Sequence, residues 1–100
     1  MALLRTTRFT ADPADVDAML ERRRKLLETV RAGYAGPSAT RLIRVDERTW
    51  VDSWRWDSAE TMRAALEAAP SLPEAAAAFA LTSDAAAENG EIVDEDVWTP

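Results

Sequence analysis

The feature that most restricts the fold of this chain is the run TWVDSWRW at residues 49–56, in which tryptophan recurs at positions 50, 54 and 56. In an extended strand alternate side chains share a face, so Trp50, Asp52, Trp54 and Trp56 point one way and Val51, Ser53 and Arg55 the other. Three indoles on one strand face form a large apolar area that only a covering layer removes from water. Val51 on the opposite face, and the alternation of Ile92 and Trp98 with Val93 and Val97, put apolar groups on both sides. The sheet therefore needs cover on both faces, one from its own helices and one from a partner.

The rest of the chain supplies that sheet with neighbours. Residues 3–9 (LLRTTRF) read as a first strand. Asp12 is the expected N-cap of a helix reaching about Ala32, with Pro13 at its first position, Asp15 in its first turn and Gly33 as a left-handed C-cap. Val16, Met19, Leu20, Leu27 and Val30 form its apolar stripe. Residues 38–45 and 49–56 are β-rich runs separated only by Asp46, Glu47 and Arg48, which reads as a hairpin. Asp57 or Ser58 caps a second helix that ends at Pro70, and an alanine-rich helical stretch follows at 74–81. Asn89-Gly90 then reads as a turn into a last strand at 91–98. The order β-α-β-β-α-α-β is two βαβ halves in series. It predicts a ferredoxin-like α+β fold, a four-stranded antiparallel sheet with the helices on one face.

The size of the chain makes it one domain over residues 1–100. Of its 47% apolar residues, 20 are alanine, so the core available to a monomer is thin and a homodimer is expected. With no cysteine and no histidine the chain has no thiolate nucleophile, no imidazole base and no Cys or His metal site. Neither a metal nor a cofactor is expected. The net charge of −6 argues against nucleic acid and anionic membrane as partners. That charge is unevenly spread. Twelve basic and ten acidic residues give +2 up to Arg63, and eight acidic residues give −8 after it. No apolar run approaches the roughly 20 residues that cross a bilayer, and the N-terminus lacks a signal-peptide core, so the chain reads as cytoplasmic.

The segment VDSWRWDSAETMRAALEAAP, a strand ending in Trp-Asp-Ser followed at once by an amphipathic helix, resembles the antibiotic biosynthesis monooxygenase family. The likeness extends in order and length of elements from Leu3 to Trp98. It implies a dimeric α+β barrel, in which two sheets pack face to face and each subunit holds a ligand pocket between sheet and helices. The family includes cofactor-independent oxygenases of aromatic polyketides and haem-degrading enzymes. The haem-degrading branch uses a helix-borne histidine and a first-strand asparagine, and this chain has neither. The quinone-forming branch is associated with Asn, Trp, Tyr and Arg around the substrate. Tryptophans, Tyr34 and arginines are present here, but the single asparagine is Asn89, so no catalytic set carries over residue by residue.

Arg23 is the residue that breaks its local rule. At about 100° per residue it falls in the middle of the apolar stripe of the first helix. A cation there must snorkel, pair with a carboxylate or meet a ligand. Asp52, flanked by indoles, is either its partner or a base perturbed by apolar surroundings. Trp50, Trp54 and Trp56 are either packing for the core or dimer, or a wall for a planar ligand. Arg22-Arg23-Arg24-Lys25 reads as a solvated helical face with Glu21–Lys25 and Arg24–Glu28 pairs rather than a nucleic-acid patch. Asp94, Glu95 and Asp96 read as solvated charge rather than a metal site.

Candidate substrate-binding residues are thus Arg23, Tyr34, Asp52, Trp50, Trp54 and Trp56. Two functions fit: a homodimeric, cofactor-independent monooxygenase of an aromatic or polyketide-type substrate, and a non-catalytic ligand-binding or dimerisation module of the same fold. A pocket filled by the protein's own tryptophans favours the second. An open pocket lined by Arg23 and indole favours the first.

Overall fold

The computed structural model describes residues 1–100. Four strands, β1 (Leu3–Thr10), β2 (Ala39–Arg44), β3 (Thr49–Trp56) and β4 (Ser83–Glu91), form one antiparallel sheet in the order β2-β3-β1-β4. Helices α1 (Val16–Gly33), α2 (Ala59–Ala68) and α3 (Pro73–Phe79) carry the connections between strands. This is the ferredoxin-like α+β arrangement that the element order predicts.

Local chemistry explains most of the boundaries. Asp12 accepts a hydrogen bond from the Ala14 amide and opens a short 3-10 turn, Pro13–Asp15, that leads into α1. Ser58 Oγ accepts from the Thr61 amide at 3.2 Å and caps α2. In the hairpin, Asp46 Oδ1 accepts from the amides of Arg48 at 2.9 Å and Thr49 at 2.8 Å, closing an Asx-type turn. Those bonds, the Arg48 amide first, hold the Asp46 carboxyl below the usual carboxylate range.

Three expectations need correction. The last strand is Ser83–Glu91, not 91–98, and Asn89-Gly90 continues it instead of turning. Register gives the reason. Ser83 lies opposite Thr10 and Glu91 opposite Leu3, so β4 exhausts the free edge of β1 and only Ile92 adds a last bond, to the Ala2 carbonyl. Residues 93–100 find no strand partner, and Trp98 is 82% exposed. Asp84 takes up a left-handed φ of 54° near a register shift in the β1–β4 ladder, where Asp tolerates that region best after Gly and Asn. Second, Gly33 is not left-handed; α1 ends with the Tyr34 amide bonded to the Val30 carbonyl and Tyr34 itself extended. Third, the buried stripe of α1 is Met19, Leu26, Leu27 and Val30, while Leu20 is exposed. The stripe is rotated toward Leu26, and Arg23 remains on it.

The core divides into two apolar clusters between sheet and helices. One gathers Leu26, Val30, Trp56, Met62, Ala65 and Ala75; the other gathers Phe9, Ala11, Met19 and Trp50. On β3 and α1 the two clusters meet at Asp52 and Arg23, which lie between their members in sequence.

Candidate functional site

β3 sends Asp52, Trp54 and Trp56 toward the helices, and β1, by the same alternation, sends Arg5, Thr7 and Phe9. Between this floor and α1, α2 and α3 lies a cavity of about 140 Å³, predominantly apolar, whose roof includes Met19, Leu26, Leu66, Leu72 and Phe79. A cavity of about 150 Å³ admits one benzene-sized ring, which sets the scale of what fits without movement.

Arg23 reaches down from α1 to Asp52. Its Nε donates to Oδ2 at 2.9 Å and its Nη2 to Oδ1 at 2.8 Å, a two-pronged ion pair with side chains 20% and 13% exposed. Both residues also line the cavity, so Arg23 is paired with a carboxylate and borders the cavity at once. Trp54 and Trp56 form the indole wall, with ring centroids 6.1 Å apart and planes tilted by 33°. Trp56 is 2% exposed, and its indole N–H has no hydrogen-bond partner in the protein. The Trp50 indole N–H, outside the cavity, is likewise without a partner, and both nitrogens are sealed from solvent.

The other two sequence candidates lie elsewhere. Trp50 is buried in the second apolar cluster, with the Arg44 guanidinium 5.0 Å from its ring centre, and is not part of the cavity wall. Tyr34 caps α1 and is also outside the wall. Arg5, missed by the sequence reading, is in it. The available signal was the alternation Leu3, Arg5, Thr7, Phe9, which places Arg5 on the face that ends in buried Phe9.

The basic run on α1 is absorbed by the protein itself. Arg22 donates to the Ala77 carbonyl at 2.9 Å, Arg24 pairs with Glu21 and Glu28, and Lys25 lies 3.9 Å from Glu21. Among the C-terminal acids, Glu95 binds Arg55 on the outer face of β3, both of its oxygens engaged at 2.8 Å to 3.0 Å. That hydrogen bonding holds the Glu95 carboxyl below its usual range. No cluster of three His, Cys, Asp or Glu side chains is placed to hold a metal ion.

No protein-family model and no curated protein matches the chain. Solved structures do match. A variant of SnoaB, a cofactor-independent oxygenase from Streptomyces nogalater, superposes with a TM-score of 0.72 at 21% identity, over 94% of this chain and 95% of that one. An antibiotic biosynthesis monooxygenase gives a TM-score of 0.64 at 20% identity, covering 92% of this chain and 99% of its own. The chain has the fold of that family. Rv0793 from Mycobacterium tuberculosis gives 0.65 at 20%, covering 97% and 100%. No helix of the protein is long and apolar enough to cross a membrane.

Proposed function

We propose that the protein is a cofactor-independent monooxygenase acting on a planar aromatic substrate of polyketide type, bound between sheet and helices. The observation that carries this reading is an apolar cavity of one-ring size, walled by Trp54 and Trp56, that also presents the Arg23–Asp52 pair. The likeness to SnoaB, itself a cofactor-independent oxygenase, supports it at the level of fold.

In this scheme an aromatic ring lies against Trp54 and Trp56. The substrate supplies its own electrons. An activated ring CH₂ loses one proton to water, and the carbanion adds dioxygen. The peroxide anion takes up one proton from water in turn and then loses water, so that CH₂ becomes C=O, one oxygen atom stays in the product and the other leaves as water. Negative charge gathers on the ring oxygen as the carbanion forms, and the Arg23 N–H donors that Asp52 leaves free stabilise it. Because the cavity holds about one ring, a polycyclic substrate must either extend past the roof or displace α2 and α3.

The active unit in this proposal is a homodimer joined through the outer sheet face, where Leu4 and Ile43 are exposed. Sedimentation at micromolar concentration tests this, and a stable monomer refutes it. Dioxygen uptake with anthrone, a tricyclic ketone with an activated CH₂, tests the chemistry. Uptake well above the uncatalysed rate, strongly reduced by Trp54→Ala in the cavity wall, is expected. Saturable binding of anthrone without uptake would instead assign a non-catalytic binding module.

A further inference from the structure

We infer that Arg5 makes the cavity selective for aromatic carboxylates. This rests on reading the cavity as a ligand site and adds to it the charge of the ligand. Arg5 stands on β1 between Trp54 of β3 and Asn89 of β4, its cross-strand neighbours, and lines the cavity floor. Its Nη1 donates to Asn89 Oδ1 at 2.9 Å, which holds the guanidinium in place without neutralising it.

Three charged side chains line the cavity: Arg5, Arg23 and Asp52. Arg23 and Asp52 cancel in their two-pronged pair, so the cavity carries the net positive charge of Arg5. No carboxylate lies within ion-pairing distance of Arg5. The nearest in register are diagonal neighbours. Asp52, opposite Thr7, is already engaged by Arg23, and Glu91, opposite Leu3, is exposed to water. A guanidinium carries five donors in a planar fork suited to carboxylate oxygens, and the bond to Asn89 uses one. A ring against Trp54 with a carboxylate substituent toward β4 would place complementary charge beside Arg5 while its apolar part stays among Leu26, Leu72 and Ala75.

Calorimetric titration with benzoate and its neutral isostere benzamide, each of one ring, tests the inference. The wild-type protein should bind benzoate tighter by at least about tenfold, the scale of one charge-assisted hydrogen bond at a partly shielded site. Arg5→Gln, which keeps a polar amide but no charge, should reduce that ratio to about twofold or less, chiefly by weakening benzoate. Arg5→Lys should keep part of the preference, since charge remains but the fork is lost. Equal wild-type affinity for the two probes overturns the inference and leaves the cavity standing as an aromatic site. A preference that survives Arg5→Gln also overturns it. Binding of neither probe removes both this inference and the ligand-site reading on which it rests.

Discussion

Replacing Arg23 by methionine keeps most of the apolar stem and removes the charge, so it isolates the ion pair. Two charge-assisted hydrogen bonds, at 2.8 Å and 2.9 Å, are lost, and Asp52 is left among indoles with a side chain only 13% exposed. Breaking a fully buried pair by removing one partner costs roughly 3 to 5 kcal/mol. Here the arginine is 20% exposed and water can reach part of the site, which lowers the expected loss to about 2 to 4 kcal/mol. At about 4 to 8 °C per kcal/mol for a domain of this size, the fall in Tm should be at least about 8 °C at fixed protein concentration. The partner variant separates lost attraction from stranded charge. Arg23→Met with Asp52→Leu removes both charges and should recover most of the loss, because apolar replacement of a buried pair is often neutral. Chemical denaturation of the wild type, both single variants and the double variant completes the cycle. A loss below about 0.5 kcal/mol for Arg23→Met, within the usual range for surface substitutions, would refute the argument that this pair bridges the two halves of the core.

Three further outcomes follow from the structure. The Glu95 carboxyl sits below its ordinary value because Arg55 binds its charged form, so the attachment of residues 92–100 is fully present above about pH 4.3 and is lost as the pH falls through the lowered value. Proteolysis of the C-terminal segment should accelerate only in that acidic range, and Glu95→Gln should make it fast at neutral pH. Ser58→Ala removes the cap of α2 and should cost about 1 kcal/mol, read by chemical denaturation. Asp46→Ala releases the amides of Arg48 and Thr49 and should speed hydrogen exchange at both, leaving β1 and β4 protected.

Elements set by near neighbours were legible in the chain. The caps at Asp12 and Ser58, the Asp46 hairpin, the ion pairs along α1 and the face shared by Asp52, Trp54 and Trp56 all depend on spacings of a few residues, and the periods of strand and helix carry that information. Arg23 stood out for the same reason, since a cation on an apolar stripe needs a partner wherever the helix packs. Long-range pairing was not legible. SDAAAENGE has little strand propensity, yet it is β4 because β1 offers it an unpaired edge, while the more β-like EIVDEDVW has no edge left beyond Ile92. The site divides along the same line. Alternation put Trp50 on the same face as Trp54 and Trp56, but only the crossing of α1 over the sheet separated it from the cavity and set it in a different apolar cluster. Alternation placed Arg5 on the inner face, but its surroundings depend on what lies across two neighbouring strands, Trp54 on one side and Asn89 on the other, and register between segments that distant in sequence is decided by the assembled sheet.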